Sequence, residues 1–206
     1  INKQGLLVKN IVLGTSLVDM YVKCGMLSKA QEVLEGLRGK DIVSWNALIS
    51  GFSQEGQYEE ALNSLERMLC ESISPDMVTL ICILKACRSH IEFLQVGEEI
   101  DAEIRKQGLL AKDIVLGNAL IDMYMKCGLF AEAENIFQRM QGRDTVSWNV
   151  VISGYVEHGL YEEALDCLEK MKTEGVFPNS VTFLCILRGC TNIETIARCK
   201  EVHIEA

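Results

Sequence analysis

Apolar side chains stand at Leu13, Leu17, Met20 and Tyr21 with small or polar residues between them, the i, i+3, i+4 spacing of one helical face. Lys23, Cys24 and Gly25 follow, and a glycine just past the last periodic residue predicts the helix's end. Helical pattern resumes over 27–37 as a partner helix, and again over 43–54 and 58–69 on either side of Gly56. A further pair is predicted over 78–88 and 94–106. Pro75 and Pro178 mark exits, since proline cannot continue a helix.

The pattern then returns. Residues 11–76 and 114–179 align without a gap at an offset of 103, identical at 32 of 66 positions. The offset divides into 31 residues (11–41), 35 (42–76) and 37 (77–113), each holding two helical stretches. The unit is therefore a helical hairpin used in three lengths, and such a period is the mark of a stacked-repeat architecture in which each hairpin contacts its neighbours. Lys3 to Leu7 match Lys106 to Leu110, so 1–10 reads as the tail of a preceding long unit. Residues 114–144 and 145–179 repeat the short and standard units, and 180–206 begins another long one. The predicted fold is all-α, one continuous right-handed α-solenoid superhelix of helix-turn-helix repeats.

With 49% hydrophobic and 24% charged residues and only two prolines, the composition is that of an ordered chain and excludes disorder. The longest apolar run, 77–84, is too short to span a bilayer, so no membrane partner is expected. Nine cysteines raise the question of metal or disulfides, but no Cys-x-x-Cys occurs and most sit within helical pattern. Small buried thiols in a reducing compartment are the plainer reading.

Two texts carry a family likeness: Val43 to Gly51 with Val146 to Gly154, and Leu17 to Gly25 with Leu120 to Gly128. On these residues and on the 31, 35 and long unit lengths, the chain resembles plant pentatricopeptide repeat proteins of the PLS subclass, with short, standard and long repeats in alternation. The resemblance covers essentially the whole chain. It implies sequence-specific binding of single-stranded RNA in a mitochondrion or chloroplast, in the service of cytidine-to-uridine RNA editing. Organellar RNA processing or stabilisation is the alternative within the same class. Repeats of this kind read one base each with two or three side chains.

In the resembled family the fifth residue of a repeat and its last form the base-reading pair. That implies Thr15 with Asp41 for guanine, Asn46 with Asp76 for uracil, Asn118 with Asp144 for uracil, and Asn149 with Asn179 for cytosine. The chemistry suits the role, because an Asn amide offers a donor and an acceptor and the residue behind it orients them. The long unit has Ile81 at its fifth position and Asp113 at its end; isoleucine cannot hydrogen-bond a base edge, so this unit is read as mute. The implied core is 5'-GUNUC-3'. The second position, which wedges between bases in the family, is Val12, Val43, Val78, Val115, Val146 and Val181. Lys23 and Lys126 fall where phosphate contacts are expected, whereas Gln54 and Glu157 stand there in the standard units. The resemblance also implies small editing cofactor proteins as partners of the long unit; otherwise a monomer is expected, with no bound cofactor and, for want of ligand spacing, no metal.

Other readings compete. A formal charge of -9 opposes generic nucleic-acid binding, which leans on phosphate neutralisation; the acids Glu59, Glu60, Glu98, Glu99, Glu132, Glu134, Glu162 and Glu163 are expected on outer second helices, away from the inner ones. Trp45 and Trp148, turned away from the reading positions, predict packing rather than base stacking. By spacing alone the Val and Asn positions read equally as turn and cap residues. His203-Ile204-Glu205 matches half of a zinc-deaminase signature but lacks the Pro-Cys-x-x-Cys half, so no catalytic activity is expected. A protein-binding helical scaffold remains the rival function, since similar hairpins hold peptides.

Overall fold

The computed structural model describes residues 11–87, 94–111 and 113–189, and all of their regular structure is helical. Eleven α-helices follow in order: α1 Ile11–Lys23, α2 Leu27–Gly36, α3 Ile42–Gln54, α4 Tyr58–Cys70, α5 Met77–Cys87, α6 Leu94–Gln107, α7 Ile114–Lys126, α8 Phe130–Arg139, α9 Thr145–Glu157, α10 Tyr161–Thr173 and α11 Ser180–Gly189. A 3-10 turn at Leu109–Ala111, which the hydrophobic pattern does not announce, precedes α7. The expected tail at 1–10, the end of the last long unit beyond 189, and His203 lie outside the described residues.

The chain forms two compact units, Ile1–Ile100 and Asp101–Ala206. In the first, α1 packs on α2 and α3, and α3 packs on α4 and α5. In the second, α7 packs on α8 and α9, and α9 on α10 and α11. Within each unit the first helices of successive hairpins thus make one layer and the second helices another. Leu48, Ile49, Met68 and Ile83 fill the core of one unit, and Leu120, Ile121, Ile136 and Leu168 that of the other, all fully buried.

The short and standard hairpins turn the same way for a local reason. Gly25, Gly56, Gly128 and Gly159 take φ of 69 to 75°, left-handed values that glycine adopts without steric cost. The N–H of the next residue then donates back across the turn, as from Met26 to the Tyr21 carbonyl and from Leu129 to that of Tyr124, both at 2.9 Å. Carboxylates in the first turn of the second helices, including Glu59, Glu60, Glu162 and Glu163, face the positive end of the helix dipole. The first helices are capped differently. Asp41 and Asp144 each accept the N–H three residues on, at 2.9 Å, and close reciprocal capping boxes with Ser44 and Ser147. Asp113 accepts from the Leu116 N–H at 3.0 Å.

Adjacent first helices approach closely at glycine. A Cβ on Gly51 of α3 would lie 2.7 Å from Val22 of α1, and one on Gly154 of α9 would lie 2.6 Å from the Cβ of Met125 of α7. Asp101 is buried in the last part of α6, held by the Arg105 guanidinium and by the Tyr124 hydroxyl at 2.9 Å. That ties α6 to α7 within the second unit.

Candidate nucleic-acid interface

The residue that ends one hairpin is the residue that caps the first helix of the next, and this fixes the site. The cap places its side chain beside the fifth residue of the hairpin before it. Asn46 Nδ2 donates to Asp76 Oδ1 at 2.9 Å, Asn149 Nδ2 to Asn179 Oδ1 at 3.3 Å, and the Thr15 hydroxyl to Asp41 Oδ1 at 3.4 Å. Three of the four expected pairs are therefore joined. The fourth is not: Asn118 lies over the same kind of cap, but its Oδ1 is buried without a partner and no hydrogen bond links it to Asp144. Asn46, Asn118 and Asn149 are each at least nine-tenths buried.

A hydroxyl missing from the sequence reading joins two of these pairs. The Thr79 hydroxyl donates to Asn46 Oδ1 at 2.5 Å, and the Thr182 hydroxyl donates to Asn149 Oδ1 at 2.6 Å. Both threonines are fully buried. The Asp76 carboxyl is held below its ordinary 3.8: burial pushes it up, but the Thr79 N–H, the Asn46 amide, the Thr79 hydroxyl and the Val78 N–H outweigh that by favouring the charged form. Asp76 thus stays an acceptor, which fixes the Asn46 nitrogen towards it.

Around these pairs the surface is apolar at regular steps. Val12, Val43 and Val78 in the first unit, and Val115, Val146 and Val181 in the second, are all at least half exposed and sit in the first turn of their helices. Exposed valines so placed have no core to serve. The lysines differ from simple expectation: Lys23 is paired with Asp19 at 2.7 Å one turn back, and Lys126 with Glu157 on the next first helix. Two further bases were not singled out from sequence. Lys85 and Arg188 are exposed, stand four residues after the fifth position of the long unit, and so share its helical face. The signal was available as that one-turn spacing from Ile81 and Leu184.

Trp45 and Trp148 are buried, 0% and 2% exposed, and pack between helices rather than offering a stacking platform. Trp148 meets Phe137 edge to face at 4.7 Å. Seven cysteines among the described residues are free thiols; burial pushes Cys82 and Cys127 up and Cys167 up to about 11, which keeps them as neutral packing groups. Among the described residues no His, Cys, Asp and Glu cluster is suited to a metal, and no helix is long and apolar enough to cross a membrane.

Comparison with known proteins identifies the repeat. A profile described as PPR repeat family matches residues 40–89 and 143–192, and one described as PPR repeat matches 15–42 and 118–145. Two pentatricopeptide repeat-containing proteins of Arabidopsis thaliana, one named chloroplastic and one mitochondrial, are each 35% identical over 94% and 96% of the chain. The chain spans 31% and 19% of their lengths. In fold it is similar to the crystal structure of the pentatricopeptide repeat protein PPR10 from maize, with a TM-score of 0.72 and 22% identity, covering 93% of this chain and 28% of that one.

Proposed function

The chain belongs to the PPR repeat family, and from that premise we propose that it is a non-catalytic module binding single-stranded RNA by sequence, one base to a hairpin. The hairpins are 11–41, 42–76, 77–113, 114–144 and 145–179, a short, standard and long succession of the PLS type. The observation that carries the reading is the hydrogen-bonded pair Asn46–Asp76 and its counterpart Asn149–Asn179, which recur 103 residues apart, each reader three residues after an exposed valine. A largely buried amide with a fixed partner has the chemistry to discriminate base edges.

The readers give 5'-GUNUC-3', with the N opposite Ile81, whose side chain has no hydrogen-bonding atom. The exposed valines space the bases without selecting among them. Phosphates fall to Lys85 and Arg188 on the long units together with Lys23 and Lys126. The relatives' names, one chloroplastic and one mitochondrial, support an organellar setting, and the PLS succession supports a role in marking sites of cytidine-to-uridine editing.

The test is competitive binding of 5'-GUNUC-3' RNA against scrambled RNA of equal length. Exchanging Asn149→Thr while keeping Asn179 is expected to move preference at its base from cytosine towards adenine. An unchanged preference, or equal affinity for the scrambled RNA, would sink the reading.

A further inference from the structure

At all four described junctions between hairpins that hold a reader, the third residue of the following hairpin carries a hydroxyl: Ser44, Thr79, Ser147 and Thr182. All four oxygens accept the N–H of the cap, at 3.2 Å for Ser44 and Thr79, 3.4 Å for Ser147 and 3.1 Å for Thr182. As caps they are alike. They differ in where the single hydroxyl proton goes. Ser44 donates to the Asp41 carbonyl at 2.8 Å and Ser147 to Asp144 Oδ1 at 3.0 Å, both within the cap itself. Thr79 and Thr182 instead reach the reader, at 2.5 and 2.6 Å, although an oxygen of their own cap lies only 3.1 and 3.2 Å away.

A carboxamide that can turn end for end offers a base either a donor or an acceptor, and so satisfies uracil and cytosine alike. Fixing its ends removes that freedom. At Asn46 two groups fix them: the ionised Asp76 takes the nitrogen and Thr79 takes the oxygen. At Asn149 the orienting residue is itself an amide, and its contact is longer, 3.3 Å. Asn179 Oδ1 is held as an acceptor by the N–H groups of Val181 and Thr182, at 3.0 and 3.1 Å. The 2.6 Å bond from Thr182 is therefore the strongest restraint on Asn149. Asn118 has neither restraint on its oxygen.

Resting on the RNA-reading function above, we infer that Thr79 and Thr182 are specificity-determining positioning residues: their hydroxyls lock the amides of Asn46 and Asn149, and base selectivity at those two hairpins depends on them. Asn118 reads unlocked. Its uracil preference over cytosine is weaker than that of Asn46.

The experiment compares the chain with Thr79→Val, Thr182→Val and Ser147→Ala, using RNAs that exchange uracil and cytosine opposite one reader at a time. Thr79→Val is expected to cut selectivity opposite Asn46 roughly fivefold, the loss of about one hydrogen bond, and Thr182→Val to do so opposite Asn149, each leaving the other positions unchanged. Ser147→Ala removes an equivalent capping oxygen and is expected to leave selectivity opposite Asn118 as it was. Independently of any variant or RNA, side-chain amide proton exchange in the unaltered chain should be slower for Asn46 and Asn149 than for Asn118. Equal exchange rates overturn the inference, as does a uniform loss of affinity for every RNA, which marks a capping role alone. If the unaltered chain discriminates bases and the threonine variants discriminate equally, this inference falls while the RNA-reading function stands. If the unaltered chain shows no base preference at any reader, both fall.

Discussion

The end residue of a hairpin does two jobs with one carboxylate, and Asp76 shows how they are linked. Its Oδ1 caps α5 through the Thr79 N–H at 3.0 Å and orients Asn46 at 2.9 Å. Those bonds favour the charged form and hold its folded pKa below 3.8. A depressed carboxyl contributes stability that is fully present above its unfolded value and is lost as pH falls through the folded one. Stability from Asp76 is therefore flat at neutral pH and declines below about pH 4. Asp76→Asn should lower stability at pH 7 and flatten the acid limb, as read by urea unfolding at stepped pH; an unchanged acid limb would show that the cap is not coupled to charge. The sequence reading gave Asp76 the orienting role alone, through the family resemblance. One atom serves both jobs, and Thr79 was invisible because a threonine three residues past an acid reads simply as half of a capping box.

Among the elements, the helices were legible from hydrophobic spacing to within a residue or two, because each first helix buries one face against its neighbour and the second helices show their acids to solvent, with Asp101 the exception among the described residues. The 3-10 turn at Leu109–Ala111 was not legible, since three residues carry no period. Nor were the close approaches at glycine, which depend on what the neighbouring helix presents. Gly117 and Gly154 make the contrast. A Cβ on Gly117 would meet the flexible end of Met140 at 2.9 Å, whereas one on Gly154 would meet Met125 at its Cβ, which no rotamer change can move. Replacing a helical glycine by alanine gains about 1 kcal/mol in propensity, and overpacking costs about 1–3 kcal/mol. Gly117→Ala is accordingly expected to be near neutral in thermal unfolding. Gly154→Ala is expected to destabilise by up to about 2 kcal/mol, and a rise in Tm would mean that α7 and α9 can separate without loss.

Across the whole molecule the formal charge of -9 is distributed unevenly, and the distribution bears on RNA more than the sum does. The six first helices carry three acids against four bases, while the five second helices carry fifteen acids against seven bases. The bases of the first helices are Lys23, Lys85, Lys126 and Arg188, and two of them already have carboxylate partners in Asp19 and Glu157. Phosphate neutralisation by this chain on the proposed reading therefore rests on few cations, all in the last turns of first helices, while the caps Asp41, Asp76, Asp113 and Asp144 stand at the opposite, N-terminal ends. Each phosphate contact to a single strand contributes about -0.7 to the slope of log K against log salt. Four contacts set a limit of about -3 for this chain, shallow for a nucleic-acid binder. Lys85→Gln should flatten that slope by about 0.7 and weaken every RNA equally, since on the proposed reading the unit that bears it reads no base. Lys23→Gln should do less, because its charge is already met by Asp19 at 2.7 Å. A steeper slope, or a Lys85→Gln effect confined to one RNA sequence, would place the phosphates elsewhere. It would also remove the division of labour in which the hairpin that cannot read a base supplies charge to hold the strand for those that can.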